Sequence, residues 1–365
     1  MKIRAAVIGL AHVHAPSIVE EFTKTGAVEW TGLADLPANR APLSSQPGTR
    51  LANIVEIKRL TGLKAEHDDY RKLLDDQKIE LAICCAENAR HGALISDLLS
   101  RGIHVVVEKP MATSMADALA MADAARRGKA KLIVNWPSTW SPSIRLAHKT
   151  VADGVIGKPL RFHYRNSSSL GPFSYGQSLS DEEKGAEWWY DASMGGGAFW
   201  DYCCYGACLS SWLIGKTPES ATALRANFGS PFGDAEDYAA IFVRYDDAVS
   251  ILEGSWVTLS SGVPAGPVVH GTEGTLVTMQ DCVQIFRERY GADPSEIIKT
   301  APLPVGRTNI GEETVSHLRG GEALHPTLDL PVNLRAMNIL DAAYRSSVSG
   351  KLEQIAGEHY AVGKI

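Results

Sequence analysis

The stretch Ile3-Arg4-Ala5-Ala6-Val7-Ile8-Gly9-Leu10-Ala11-His12-Val13-His14 decides how this chain is to be read. Residues 3–8 form a compact apolar strand. A glycine turn follows, and a helical pattern then runs to about Thr25. Strand, tight turn and helix is the opening unit of an α/β sheet. Working outward, Val28 to Ala34 is a second strand that ends in Asp35. Helical patterns lie near 47–61 and 68–77. Leu81-Ala82-Ile83-Cys84-Cys85 is apolar on both faces, as the centre of a parallel sheet requires. A helix from His91 to Arg101 follows. The strand Ile103–Val107 leads into Glu108-Lys109-Pro110, then a helix from Met115 to Arg127 and a strand from Lys131 to Trp136. This alternation predicts a doubly wound parallel sheet with right-handed crossovers over residues 1–135.

Such sheets bind ligands beyond the carboxyl ends of their strands. Gly9, Asp35, Asn88 and Lys109 all fall just past strand ends, and this groups them before any other consideration. The turn itself is an imperfect dinucleotide fingerprint, which asks for small residues at three places. Gly9 fits and Ala11 lets the backbone approach a pyrophosphate closely, but His14 occupies the third place. A strand-helix turn without a ligand remains an alternative reading of these residues. Asp35 favours the dinucleotide. A carboxylate there can bond the adenosine ribose hydroxyls and repels a 2'-phosphate, so NAD is expected over NADP.

After Trp136 the pattern changes, and residues 136–365 are expected to form a second domain. Pro142 to Asp153 reads as a helix and Leu160 to Ser167 as a strand. A long loop, 166–196, carries Phe173, Tyr175, Trp188, Trp189 and Tyr190, with Asp181-Glu182-Glu183 as a polar turn. Its rings either wall a sugar or aryl substrate and close over it, or plug the edge of a sheet. Gly195-Gly196-Gly197 opens a helix from Ala198 to Leu213, where the bare backbone can approach a bound ring. Asp201 and Tyr205 lie one turn apart on that helix. Strands are expected at 221–228, 237–245, 248–258, 268–271, 274–279 and 282–289, with turns that suit antiparallel neighbours. Residues 290–327 read as a polar, extended excursion. A last helix, about 330–348, is expected to pack back on the first domain. A large open sheet must cover its apolar face, so a homodimer or homotetramer through that sheet is expected.

The bulk numbers exclude several classes. The 365 residues carry a formal charge of -6, 45% hydrophobic and 21% charged residues. That is the composition of a folded globular chain. No basic cluster favours nucleic acid or an anionic membrane. Six cysteines include two adjacent pairs and lack zinc-finger spacing, so they are read as buried thiols in a reducing compartment, and no metal is expected. No signal peptide or span is visible, which places the protein in the cytoplasm.

At this point the sequence resembles the Gfo/Idh/MocA family (glucose-fructose oxidoreductase, inositol dehydrogenase, rhizopine catabolism). The matching pieces are Ala5–His14, Asn88 with His91, Glu108-Lys109-Pro110, Gly195-Gly196-Gly197 with Asp201, Gly254-Ser255-Trp256 and His270–Leu276. The resemblance implies an N-terminal Rossmann domain, a C-terminal α+β domain with a large open sheet, and NAD(P)-linked chemistry on a carbohydrate-like alcohol. It implies cofactor contacts from Gly9, Leu10, Ala11, His12, Asp35, Ala86, Glu87, Asn88, His91, Glu108 and Lys109. Lys109 matches the family's active-site lysine and Asp201 its helix aspartate. Most members carry histidine four residues past that aspartate. This chain has Tyr205, which resembles the tyrosine-bearing branch with glucose-fructose oxidoreductase and dimeric dihydrodiol dehydrogenases. Pro137-Ser138 is a second departure and leaves the substrate open.

The expected reaction moves a hydride between nicotinamide and a secondary alcohol of a sugar, cyclitol or dihydrodiol. Its proton needs a base. Tyrosine titrates near 10 in water, and a lysine ammonium beside it lowers that value. Lys109, Tyr205 and Asp201 are therefore the catalytic candidates, and Asn135, Trp189, Asp201 and Tyr205 the substrate candidates. Lys109 itself is an alternative proton carrier. A non-catalytic dinucleotide or sugar sensor is the alternative function, and a redox enzyme that never releases its nucleotide is a third.

Overall fold

Two sheets carry the chain, and the computed structural model describes residues 1–169, 171–173, 178–259 and 262–355. The first sheet joins β1 (Ile3–Leu10), β2 (Val28–Ala34), β3 (Leu81–Cys85), β4 (His104–Glu108) and β5 (Leu132–Asn135) in the order β2-β1-β3-β4-β5. Every pairing in it is parallel. All five positions of β3 are buried, which explains why its sequence shows no alternation. Beyond β2, His67 makes a single parallel bridge to Ala34. That residue stands where a doubly wound sheet of order 3-2-1-4-5-6 has its third strand. The helices between are α1 (Ala15–Lys24), α2 (Arg50–Thr61), α3 (Tyr70–Asp76), α4 (His91–Ser100) and α5 (Met115–Gly128). Pro16 sits in the first turn of α1, where its missing N–H costs nothing. Ser114 caps α5 by accepting from Asp117 N.

The second sheet has nine strands in the order β13-β12-β11-β10-β6-β9-β8-β7-β14. They are β6 (Pro159–Ser167), β7 (Ser220–Ala226), β8 (Tyr238–Arg244), β9 (Val249–Ser255), β10 (Val268–Gly271), β11 (Thr275–Thr278), β12 (Cys282–Phe286), β13 (Glu296–Lys299) and β14 (Glu353–Gln354). Only β6 and β9 run parallel; the other pairs are antiparallel. One face of this sheet packs under α6 (Pro142–Ala152), α8 (Cys204–Leu213) and α10 (Leu330–Ser349). The helix α10 also touches α5 and β5 of the first sheet.

Two expectations need correction. Asp181-Glu182-Glu183 is not a bare turn. It opens α7 (Asp181–Ala186), whose first turn is closed by a reciprocal capping box between Ser180 and Glu183. Residues 290–327 are not simply extended. They supply edge strand β13 and a helix α9 (Ile310–Gly320). That helix is N-capped by Asn309 and lies against α1 so closely that a Cβ on Gly311 would sit 2.8 Å from the Glu21 carbonyl. Its inward positions include Glu313 and Thr314 beside Ile310, and such polar inward positions obscure the helical period in the sequence.

Candidate active site

The turn after β1 is built by close contact. Gly9 has φ +81°, and a Cβ there would lie 2.7 Å from Ala86 N. Only glycine fits that spot, where the strand ends of β1 and β3 meet. Leu10 N and Leu36 N both donate to Asp35 Oδ1, at 3.0 and 2.9 Å. Arg50 Nη1 donates to Asp35 Oδ2 at 2.6 Å, and Arg50 Nη2 pairs with the buried carboxylate of Glu87. Arg50 is thus the charge that lets two carboxylates sit side by side. Asp35 keeps one acceptor position, on Oδ2. Asn53 Nδ2 fixes the turn from below by donating to the carbonyls of Leu10 and His12.

Glu108 and Asn135 are register partners at the ends of β4 and β5. Asn135 Nδ2 donates to Glu108 Oε2 at 2.8 Å. Glu108 Oε1 is 3.0 Å from His14 Nδ1 and 3.9 Å from His12 Nε2. This explains His14, the departure from the dinucleotide fingerprint: its ring reaches across to Glu108. His12, His14 and Glu108 bring metal-capable atoms within 4.8 Å of one another. His12 Nδ1 accepts from His14 N–H at 3.1 Å, which leaves the ring proton on Nε2. Burial holds the His12 pKa well below the ordinary value, so the ring is neutral. Its Nε2–H faces Glu108 as a donor facing an acceptor, a spacing that suits a hydroxyl between them. His91 is placed by its own two contacts, to Pro110 O and Ala86 O, and burial lowers its pKa too.

Lys109 turns the other way from Glu108. Its ammonium donates to Asp201 Oδ1 at 2.5 Å and to Asp201 O at 3.0 Å. It also lies 4.9 Å from the centre of the Tyr205 ring. Asp201 stands in a π-helical turn, Phe199–Cys203, that runs directly into α8. Such widened turns gather at functional sites. The other oxygen of Asp201 accepts from Trp256 Nε1 at 3.2 Å. Trp256 is absent from the residues expected at the site, although Gly254-Ser255-Trp256 was visible as a motif. Trp136 meets the Tyr205 ring edge-on at 5.6 Å and is itself held by Asn333 of α10. The Tyr205 hydroxyl has no hydrogen-bond partner among the described residues.

Charge states follow from this packing. Burial works against the Lys109 ammonium, but Asp201 outweighs it and the pKa rises well above the ordinary value. For Tyr205, burial raises the phenol well above its usual range, and the opposing pull of Lys109 is the smaller effect. The expected lowering of the phenol by the ammonium therefore exists, but burial overrides it. Both groups hold their protons at neutral pH.

The triplet Gly195-Gly196-Gly197 serves protein packing. A Cβ on Gly195 would lie 2.8 Å from Asn88 Cβ, and Cβ atoms on Gly196 and Gly197 would overlap Trp189 O and Glu236. Asn88 Nδ2 donates to Gly195 O at 2.9 Å. Trp189, expected at the substrate, stacks on Trp188 and meets His12 edge-on at 4.8 Å, against the turn after β1. Trp188 Nε1 donates to Ala11 O at 3.0 Å. Phe173 and Tyr190 join this aromatic cluster, and Tyr175 lies outside the described residues. Among the described residues, several buried polar atoms along this path lack a hydrogen-bond partner. They are Glu187 Oε1, Asn88 Oδ1, Trp189 Nε1, His12 Nε2 and Asn135 Oδ1, while Glu87 Oε2 lies 3.4 Å from Arg90 Nε. An unpaired buried polar atom costs about 1–3 kcal/mol, so each of these is open to a polar partner.

Comparison with known proteins shows the family and the fold. Residues 3–136 match the model of an oxidoreductase family with an NAD-binding Rossmann fold, and residues 144–277 match the GFO/IDH/MocA C-terminal domain. An inositol 2-dehydrogenase/D-chiro-inositol 3-dehydrogenase of Lactiplantibacillus plantarum is 27% identical over 175 residues, 47% of this chain and 45% of that protein. A 1,5-anhydro-D-fructose reductase of Ensifer adhaerens is 26% identical over 59% of this chain and 62% of its own length. These matches thus span less than two thirds of either relative. The WlbA dehydrogenase of Bordetella pertussis, solved with NADH and UDP-GlcNAcA, superposes with TM-score 0.73 over 98% of this chain and 99% of that one, at 19% identity. At that identity the likeness establishes the fold.

Proposed function

The chain belongs to the GFO/IDH/MocA family of oxidoreductases, and from that premise we propose that it is an NAD(P)-dependent dehydrogenase or reductase acting on a secondary alcohol or ketone of a carbohydrate-like molecule. The observation that carries this reading is the convergence of Lys109 and Tyr205, from two different domains, on one buried spot beside Asp201.

The residues fit a dinucleotide. The unpartnered atoms of Asn88, His12 and Asn135 lie at the strand ends where such ligands bind. Asp35 Oδ2 suits an adenosine ribose hydroxyl and opposes a 2'-phosphate, which favours NAD. His12 Nε2–H and Glu108 Oε1 suit a second hydroxyl. When bound, the nicotinamide supplies the hydride acceptor or donor. The chain's own residues handle the proton. Lys109 and Tyr205, both protonated, stabilise an oxygen that gains negative charge, and Tyr205 Oη–H gives it a proton. In the reverse direction the phenol must first lose its own proton. Asp201 holds the ammonium in place through two contacts and is itself fixed by Trp256.

The inositol and anhydrofructose substrates in the relatives' names support a polyhydroxylated ring as the substrate class. The second sheet leaves one face uncovered, which supports association through it.

The test is absorbance at the NADH band with NAD and NADP against a panel of aldoses, cyclitols, anhydrosugars and dihydrodiols. Turnover is expected with at least one substrate, with the lower KM for NAD(H). Lys109→Ala is expected to lower kcat by about 100-fold or more. Nucleotide binding without turnover across the panel would make the protein a sensor instead.

A further inference from the structure

The second-domain stretch 185–197 runs along the carboxyl edge of the first sheet and touches the segments that follow β2, β1 and β3. Past β2, Arg40 Nη1 donates to Gly185 O at 2.6 Å, and Arg40 Nη2 lies 3.7 Å from Asp191 Oδ2. Asn39 Nδ2 donates to the same carboxylate oxygen. At the start of α2, Arg50 draws the Glu187 pKa downward against the larger effect of burial. Past β1, Trp188 bonds Ala11 O and Trp189 packs on His12. Past β3, Asn88 bonds Gly195 O. This is the line on which the dinucleotide is read to lie, so the sheet edge bounds it on one side and this stretch on the other.

The contacts differ in exposure. Ala11, Asn88, Glu187, Trp188 and Trp189 are buried, whereas the Arg40 side chain is 43% exposed. The Asp191 carboxylate is buried as well, so its pairing with Arg40 joins a buried acceptor to a donor open to solvent. Asp191 joins the two sides there. Its Oδ1 accepts from Ser193 N and Oγ, at 2.9 and 2.6 Å, and so shapes its own stretch. Its Oδ2 is left for Asn39 and Arg40. These two residues follow Asp35 in the chain within five positions, so the clasp and the adenosine-binding carboxylate share one loop.

We propose that Asn39, Arg40 and Asp191 form a clasp that sets the rate at which dinucleotide enters and leaves the cleft. The proposal rests on the reading of that cleft as the nucleotide site. A clasp is a barrier crossed in both directions. Its removal raises association and dissociation rates together and leaves their ratio nearly unchanged. A residue that merely touches the nucleotide changes the dissociation rate alone.

The experiment is stopped-flow NADH fluorescence on the full chain, with binding and displacement measured for wild type, Arg40→Ala, Arg40→Lys and Asp191→Asn. Both rates are expected to rise about 3-fold in Arg40→Ala and Asp191→Asn. Arg40→Lys is expected to rise less, because lysine keeps the charge but loses the fork that spans two acceptors. The melting temperature of the nucleotide-free Arg40→Ala protein should stay close to wild type. Unchanged rates in Arg40→Ala overturn the clasp, and so does a rise in dissociation alone. Failure of the wild-type protein to bind NADH or NADPH at all overturns the nucleotide reading itself, and is distinguished by that result.

Discussion

Tyr205 and Lys109 show how one side chain's setting decides what its neighbour can do. Their adjacency suggested a lowered phenol, because an ammonium favours phenolate. Packing against Trp136 and the surrounding core raises the phenol instead, and burial is the dominant cause. The sign has a kinetic consequence. Oxidation of an alcohol should accelerate with pH throughout the neutral range and beyond pH 9, with log kcat/KM rising about one unit per pH unit. Reduction should be flat over the same range and decline only in strong alkali. A pH–rate profile in both directions checks this, and an oxidation rate that levels off below pH 8 would rule out Tyr205 as the titrating group. Asp201 is fixed by one contact on each oxygen, from Lys109 and from Trp256.

Among the elements, the segment that joins α7 to the π-helical turn carries the most consequence. It contains Glu187, a carboxyl whose burial pushes its pKa from 4.5 up to about 7. A carboxyl raised in the folded state stabilises the fold while protonated in both states. That contribution is full below about pH 4.5 and is lost as pH rises towards 7. Glu187→Gln should therefore raise stability at pH 8 by on the order of 2 kcal/mol and change little at pH 4.5. Thermal melts at the two pH values decide it, and an equal effect at both would locate the gain elsewhere. This element was only partly legible. Its aromatics stood out as Trp188-Trp189-Tyr190, but their attachment to Ala11 and His12 joins residues far apart in the chain, and no local pattern encodes such a contact. The helix α9 was missed for a related reason: buried Glu313 is satisfied by Arg307 and by His325 N, so a polar letter stands at an inward position.

At the scale of the molecule, the second sheet has one face under helices and one in solvent. A register row on the open face runs Thr222, Phe242, Ile251, His163, Val268, Val277, Gln284 and Ile297. Phe242 and Ile297 in that row are each more than half exposed, as is Leu224 beside it. We propose that a second copy covers this patch, which a symmetric contact would bury on both chains. Phe242→Asp should shift the protein to monomer in sedimentation; an unchanged mass would send the interface elsewhere. No helix among the described residues is long and apolar enough to cross a membrane. By itself the sequence determined the two-sheet architecture, the glycine turn after β1 and the family, because strand hydrophobicity and glycine turns are written locally. Only the tertiary structure decided the protonation of the pair, the bond from Trp256, the use of His14 on Glu108, the role of Arg50 between two carboxylates and the clasp at Arg40. Burial and long-range contact set those, and neither exists until the chain has folded.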